Sequence, residues 1–463
     1  MTVMPRRLLQ SRLSRPFGLP RLPRPALLAL VAMQALGFGL IATPASAQSL
    51  RELYDIARGY DAGYLAALSQ AEASRARAEQ AEALLRPTVG LVSGVSRTQT
   101  DTPLGGMRGL NNANVGVSAV QPLWNHASSA AVDKARKSLE LIDADLATAE
   151  QDLIVRVTQA YFDVLAAQDA LATAQAGKKA ISEQLASARR NFEVGNATIT
   201  DTREAQARFD LSTAQEIAAD NDLRSKKIAL DQLIGKPGTE PAPLEQPVAL
   251  PSLPADEVES WVGKAAEAPN VRKARTAYEI AKLETRRTDA GDRPTLDLEG
   301  SAGLSHNSGV AATSSGGTGF TKNAKVGLTF KMPLYTGGAV DNQVKEAVAL
   351  EEKSRNDLDN ARRAVAQATR QVYFGVQSGQ AQVKALEAAE SSSKLALEAT
   401  QTGYRVGVRV NLDVLNAQTQ LFSTQRDLAK ARYDVLVNGL RLRQAAGVLA
   451  VPDLDAVNAL LKK

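Results

Sequence analysis

The sequence predicts a mixed fold, in which long α-helices alternate with the strands of a β-barrel that several copies of the chain build together. Three observations lead to this prediction. Many residues recur 212 positions later, as Gln159-Ala160-Tyr161-Phe162 does in Gln371-Val372-Tyr373-Phe374. Each half contains two segments that alternate apolar and polar residues, and each contains one long segment with few helix breakers. We therefore expect an internally duplicated fold whose loops absorb differences in length.

The first 47 residues are predicted to be a secretory signal peptide. They carry six arginines and no acidic residue, then an apolar segment at 26–41 and the small residues Ala45-Ser46-Ala47, which is typical of a cleavable leader. An N-terminal membrane anchor is the alternative, although the apolar segment is short for a bilayer span. Without the leader, 49 basic residues stand against 50 acidic ones, a net charge of −1. This balance gives no reason to expect a nucleic-acid partner.

The composition argues against catalysis. The chain has no cysteine and only two histidines, His126 and His306, so disulfides, thiolate sites and a lipid-modified cysteine are excluded. The sequence contains no nucleophile–base pair, metal-ligand spacing or phosphate-binding loop. We predict a protein that is not an enzyme and that needs no cofactor or metal.

Four segments alternate with period two, which predicts strands with one apolar and one polar face. In the last of them Val326, Leu328 and Phe330 point one way, and lysine, glycine and threonine point the other. A length of roughly ten residues suits a tilted strand that crosses a bilayer. The predicted strands cover 88–97, 112–121, 295–305 and 325–332, with long flexible loops at 98–111 and 306–322.

Four strands cannot form a complete sheet in lipid. Every backbone donor and acceptor must be satisfied within the protein there, so the sheet must close into a barrel without free edges. Single-chain barrels begin at about eight strands. Several copies must therefore share one barrel, and three copies would supply about twelve strands. The alternative is a soluble sheet that covers its apolar face with another part of the chain.

Two segments with few breakers, 127–191 and 340–402, predict helices of about 95–100 Å each at a rise of about 1.5 Å per residue. Shorter helices are predicted at 50–85 and 201–234; stacked end to end, they would match one long neighbour in the wall of a cylinder. Local bends are expected at glycines inside the long helices. The predicted seam has coiled-coil spacing and contains Leu358, Ala361, Val365, Ala368, Val372 and Val376.

The domain prediction follows from the duplication. The first structural repeat is placed at 48–235 and the second at 257–448, each with a helix, a strand pair, a long helix and a shorter helix. The segment 236–256 contains six prolines and is predicted to be an extended connector. The residues 449–463 are left as a C-terminal tail.

The junctions between strands and helices repeat as well. Pro122 and Trp124 follow the first strand pair, and Pro333 and Tyr335 follow the second. Their aromatic rings fit an interfacial belt, and ordinary packing is the alternative. Gly337-Gly338 lets the chain swing from strand into helix.

This duplicated plan, the junctions Gln121-Pro122-Leu123-Trp124 and Met332-Pro333-Leu334-Tyr335-Thr336-Gly337-Gly338, and the segment 404–415 resemble the TolC outer-membrane efflux family. The resemblance covers nearly all of the chain after the leader. It implies a homotrimer with a 12-stranded β-barrel in outer-membrane lipid, continued by a long periplasmic α-helical barrel with a gated inner end. It also implies an exit duct for type I protein secretion, multidrug efflux or both. The implied partners are a periplasmic adaptor protein and an inner-membrane pump, either an ABC or a proton-driven one.

The resemblance further assigns roles to individual residues. Asp413 matches the acidic residue that lines the periplasmic constriction, and Asn416 falls where some members have a second acid, so this entrance is expected to be less negative. Asp201, Tyr404 and Arg409 match a latch that holds the inner end shut. The expected adaptor contacts are the turns at Val194, Gly195, Val406 and Gly407.

Two alternatives stay open. Asp201 and Asp413 each begin a helix, and acids in a first helical turn complement the helix dipole, so capping alone is a second role for both. For the whole chain, the rival is a soluble periplasmic coiled-coil adaptor or scaffold, which would leave the four alternating strands unexplained.

Overall fold

A computed structural model describes residues 48–103, 106–245, 248, 250–251, 257–309 and 318–462; the predicted signal peptide lies outside these residues. Short 3₁₀ turns at Ala83–Leu85 and Ala290–Asp292 lead into the sheet. The helices of the described part are α1 (Leu50–Tyr60), α2 (Ala62–Glu82), α3 (His126–Glu193), α4 (Ile199–Ile234), α5 (Val258–Ala265), α6 (Pro269–Asp289), α7 (Ala339–Arg405), α8 (Asn411–Ala445) and α9 (Val451–Asn458).

The two long helices, α3 and α7, have 68 and 67 residues, which corresponds to about 100 Å each. Both stay helical through their interior glycines. Gly177 faces Phe422, and an added Cβ would lie 3.3 Å from that ring. Gly379 faces Val435 at 3.1 Å. The glycines therefore let α8 approach both long helices closely.

The prediction of one helix over 50–85 is wrong at Asp61, where the chain breaks into α1 and α2. The Asp61 carboxylate accepts a hydrogen bond from the backbone N–H of Tyr64 at 2.8 Å and caps α2, as aspartate does at many helix starts. Arg156 on α3 donates to the same carboxylate at 2.8 and 2.9 Å. These hydrogen bonds hold the pKa of Asp61 below its usual value.

Four strands form one antiparallel sheet in the order β1-β2-β3-β4. They are longer than predicted, and the prediction of loops is wrong at 98–102, 106–111, 306–308 and 319–322, which are strand residues. The predicted loop residues 104–105 and 310–317 lie outside the described residues. The pairing continues to Thr102↔Gly106 and to Asn307↔Gly319, because an established hairpin can extend its backbone hydrogen bonds whatever its side chains are. The strands are β1 (Thr88–Thr102), β2 (Gly106–Trp124), β3 (Thr295–Ser308) and β4 (Gly319–Lys331).

The strand register collects most of the apolar residues of the four strands on one face. Leu91 lies opposite Val117, Val117 opposite Ala302, and Ala302 opposite Ala324. This apolar face is not covered by the described chain, since Val95 is 87% and Val326 is 83% exposed. Strands β1 and β4 are the two edges of the sheet.

The main core lies among α1, α3, α4, α8 and α9. Tyr161 and Phe162 of the repeated motif are buried there, and Phe162 stacks on Tyr433 with 5.5 Å between ring centroids. The Tyr161 hydroxyl donates to the carbonyl of Ala242 in the connector at 2.8 Å. The C-terminal residues contribute α9, whose Leu454 is fully buried. The connector contains no helix among its described residues.

Candidate functional site

Two helical turns lie side by side at the end of the helices. Val194-Gly195 joins α3 to α4, and Val406-Gly407 joins α7 to α8. The glycines have φ angles of +77° and +80°, a left-handed conformation that favours glycine after a helix. The side-chain amide of Asn191, before the first turn, donates to the Tyr404 hydroxyl, before the second, at 3.1 Å.

Both turns present apolar side chains to the outside. Val194 and Val406 are each 68% exposed. Val408, Val410 and Ile199 extend this surface and are also exposed. A cluster of this kind marks an interaction surface more often than a free one.

Asp201 forms a capping box at the start of α4. The backbone N–H and the hydroxyl of Thr198 both donate to one Asp201 carboxylate oxygen, at 2.9 and 2.7 Å. The backbone N–H of Asp201 donates to the Thr198 hydroxyl oxygen at 3.2 Å. This reciprocal arrangement satisfies two donors that the helix start leaves free, so capping is one role of Asp201.

Asp413 occupies the matching position of α8 without such a box. Val410 stands where the first half has Thr198, and no side chain caps α8. The carboxylate of Asp413 lies 3.7 Å from the Arg409 guanidinium in a largely exposed pair. Its negative charge is therefore left available at the turn.

The three predicted latch residues are not joined to one another. In the described part of the chain, Tyr404 is hydrogen-bonded to Asn191, Arg409 is paired with Asp413, and no hydrogen bond or ion pair links either to the Asp201 side chain. Asn416, predicted at the constriction, accepts a hydrogen bond from Arg208 of α4 at 2.9 Å. The latch and the constriction stay predictions.

Sequence reasoning missed Asn411, the first residue of α8. The residue is 2% exposed. The side-chain oxygen accepts a hydrogen bond from the side-chain amide of Gln184 on α3. The side-chain amide donates a hydrogen bond to the backbone carbonyl of Asp201 at 3.4 Å. Asn411 thus connects both helices of the first turn to α8. The repeat offered a signal for Asn411, because this polar residue stands where the first half has the apolar Ile199.

The strand–helix junctions lie at the end of the sheet that faces the helices. A bulge separates Pro122 from Trp124, and the Trp124 ring lies 5.6 Å from that of His126. In the second half Pro333 precedes Tyr335, which is 88% exposed. Gly337 and Gly338 both have left-handed φ angles, +66° and +77°, and they redirect the chain into α7.

An open antiparallel sheet with an uncovered apolar face, attached to helices of about 100 Å, defines the class as an outer-membrane channel subunit. None of the helices in the described ranges is long and apolar enough to cross a membrane. The profile of the family described as "Outer membrane efflux protein" matches residues 53–236 and 264–448. The chain belongs to this family.

Individual relatives agree with this assignment. The chain is 32% identical to the outer membrane protein TolC of Vibrio cholerae, covering 92% of this chain and 96% of the relative. It is 33% identical to the alkaline protease secretion protein AprF of Pseudomonas aeruginosa, covering 91% and 89%. The crystal structure of the outer membrane protein VceC from Vibrio cholerae shares the fold with a TM-score of 0.73 at 20% identity, covering 86% and 96%.

The predicted fold class, location and general function are confirmed. The chain combines long helices with a four-stranded antiparallel sheet. It is an outer-membrane protein with a long periplasmic helical part. It serves as an exit duct of the outer-membrane efflux family.

Proposed function

We propose that three copies of this chain close one 12-stranded barrel and one helical tunnel, which a periplasmic adaptor protein connects to an inner-membrane pump. The observation that carries the proposal is the open sheet, whose edges β1 and β4 have no partner strand in the described chain. An unpaired edge is not tolerated in lipid. Pairing β4 of one copy with β1 of the next removes every edge.

The exposed apolar face supports the same arrangement. Val89, Leu91 and Val95 on β1 are as exposed as Val326 and Leu328 on β4, so the apolar surface continues to both edges. A closed ring would turn this surface towards lipid and turn the glycine, serine and asparagine face inwards. The lumen would then be wet and polar, as a channel for polar cargo requires.

The helices also leave apolar side chains for a neighbouring copy. Phe374 and Leu395 of α7 are 54% and 63% exposed, and Ile217 and Ile228 of α4 are both 66% exposed. Within the chain α7 packs on α6 and α8, whereas α4 packs mainly on α3. The two exposed surfaces belong to different margins of the helical wall, which suits contact between α7 of one copy and α4 of the next.

For the inner end we propose the roles that the resemblance assigns. The exposed valines at both turns would contact the adaptor, and Asp413 would line the constriction. The latch would then form between copies, since Tyr404 and Arg409 have other partners within one chain. No catalytic step is part of this function. The name of AprF, an alkaline protease secretion protein, makes secreted proteins one cargo class to test.

The decisive test combines fractionation with electrophysiology. Protein purified from membranes in mild detergent is expected to have the mass of three chains and to form pores in planar bilayers. Tyr404→Phe combined with Arg409→Ser is expected to raise single-channel conductance, because the hydroxyl and guanidinium contacts that hold the inner end shut are lost. A monomer that stays soluble without detergent would overturn the proposal, and unchanged conductance would remove the latch.

A further inference from the structure

We propose that the mature chain begins with a pyroglutamate at position 48, formed when Gln48 cyclises after the leader is removed. The inference rests on the predicted cleavage after Ala47 and is independent of the proposed function. Cleavage at that bond makes Gln48 the first residue, and an N-terminal glutamine can close a lactam ring on its own α-nitrogen. The surroundings of Gln48 in the fold favour the ring over the open residue.

Gln48 is held in place by backbone hydrogen bonds to the connector. Its N–H donates to the carbonyl of Glu240 at 2.8 Å, and its carbonyl accepts from the N–H of Ala242 at 3.2 Å. The hydroxyl of Tyr161 donates to the same Gln48 carbonyl at 3.2 Å. These contacts accompany a parallel bridge with Pro241. The start of the mature chain is therefore part of the fold, and its α-nitrogen lies next to one fixed acceptor.

This position disfavours a positive charge on the α-nitrogen. Ser49 comes next and caps α1, since its hydroxyl accepts a hydrogen bond from the backbone N–H of Glu52 at 3.2 Å. The start of a helix carries a partial positive charge, and an open N-terminus is an ammonium group below its pKa of about 8. That ammonium would lie at the positive end of α1, on a half-buried residue. A lactam nitrogen is neutral and keeps the one N–H that Glu240 accepts.

The open side chain of Gln48 is poorly satisfied where it lies. Its Oε1 atom is buried and accepts no hydrogen bond from the described part of the chain, although buried polar atoms normally have partners. Ring closure moves this oxygen to the position of a preceding peptide carbonyl. A parallel bridge has an extended backbone with φ about −120°, and a lactam ring holds the same torsion near this value. The N–H of the ring therefore keeps its direction towards Glu240.

The reaction needs no further reactant. The lone pair of the neutral α-amino group attacks Cδ, the bond between Cδ and the α-nitrogen forms, and the bond between Cδ and Nε2 breaks. One proton moves from the α-nitrogen to Nε2, which leaves as ammonia. Nothing is oxidised or reduced, and a fraction of neutral amine is present at pH values close to its pKa of about 8. The product has no terminal charge, like other blocked N-termini.

The test is mass spectrometry of the terminal peptide 48–51, released by trypsin from the full chain purified from membranes. In most molecules this peptide is expected to be lighter than its open form by the mass of one ammonia. A synthetic open peptide of the same sequence goes through the same digestion and should stay mostly open. Most molecules open at Gln48, a terminal peptide that starts at another residue, or equal ring closure in the synthetic peptide would overturn the inference.

Gln48→Glu measures what the ring contributes, because glutamate cyclises far more slowly and keeps the terminal ammonium. Hydrogen exchange of the Ala242 amide is expected to become severalfold faster in this variant, since the charge weakens the bridge. Gln70→Glu makes the same change at an exposed residue of α2 and should match the parent in terminal mass and exchange. Unchanged exchange in Gln48→Glu would overturn the claim that the fold favours the ring. Both variants should form pores like the parent, so a parent without pores contradicts the proposed function alone.

Discussion

Val194-Gly195 and Val406-Gly407 turn the chain with nearly the same dihedral angles, yet the helices that follow begin with different chemistry. In the first half Thr198 and Asp201 satisfy each other and the helix start. In the second half Val410 replaces the threonine, and Asp413 has only a long contact to Arg409. Valine in place of threonine thus leaves the Asp413 carboxylate available for function, although the backbone turns in the same way in both halves.

The repeated aromatic motif differs between the halves in the same way. Tyr161 and Phe162 are buried in the main core, whereas Phe374, the counterpart of Phe162, is 54% exposed. The duplicated motif therefore supports folding of the chain in one half and offers surface to a neighbour in the other. Equal sequence at matching positions does not imply an equal role.

The largest expected effect tests this contrast in the core. Phe162→Ala removes a buried ring and is expected to lower the free energy of unfolding by about 3–5 kcal/mol. Phe374→Ala is expected to change the stability of the single chain little and to weaken trimer association. Urea unfolding and the trimer fraction in mild detergent measure the two effects. Similar losses of stability in both variants would show that the halves do not differ here.

The next effect concerns the two aspartates. Asp413→Ala is expected to weaken channel block by multivalent cations severalfold, because it removes a carboxylate that is not engaged in a helix cap. Asp201→Ala is the matched variant and should change the block less, since its carboxylate is held by Thr198. Dose–response curves in planar bilayers provide the comparison. If both variants are blocked as strongly as the parent, neither residue lines the constriction.

Substitutions can remove the side-chain cap from α4 and introduce one at the start of α8. Thr198→Ala is expected to destabilise the start of α4 by about 1 kcal/mol. Val410→Thr should supply the missing cap to α8, stabilise it by a smaller amount and hold Asp413, which also reduces cation block. Thermal unfolding and bilayer recordings report the two results. A Val410→Thr variant with unchanged stability and block would contradict this account of the second turn.

The smallest effect is a pH dependence at the contacts of α2 and α6 with α3. Glu82 on α2 contacts Arg136 of α3, and Glu284 on α6 contacts Lys134 of α3. The hydrogen bond from Arg287, aided by Lys134, lowers the pKa of Glu284 from 4.5 to about 2. The carboxylate therefore stabilises the fold fully above pH 4.5, and this contribution is lost as the pH falls towards 2.

Because the Glu284 contacts are partly exposed, we expect a loss below about 1 kcal/mol. Glu284→Gln should remove this part of the acid sensitivity, which unfolding curves between pH 5 and 3 would detect. Glu82→Gln is the comparison variant for the first half. A Glu284→Gln variant whose stability falls with acid as steeply as that of the parent would argue against a stabilising role for the contacts of Glu284 with Arg287 and Lys134.

Much of the fold could be predicted because its signals are local. The alternation in 325–332 identified the second half of β4 and its apolar face, and the scarcity of breakers in 127–191 matched α3 within a few residues. The break at Asp61 was missed although its cap on Tyr64 is local; the two hydrogen bonds from Arg156, 95 residues away, could not be read from the sequence. The hairpin extensions were missed for a related reason, because their pairing comes from the neighbouring strand and not from side-chain pattern. The domain boundaries stay a prediction.

The sequence by itself determined that the chain is duplicated, that four strands have an apolar face and that two helices are very long. Period, repeat spacing and breaker content are local properties, and they need no partner to be recognised. Only the tertiary structure decided which copy of each motif is buried and how Asn411 joins both helices of the first turn to α8. Those outcomes depend on contacts between residues far apart in the chain, which no local pattern records.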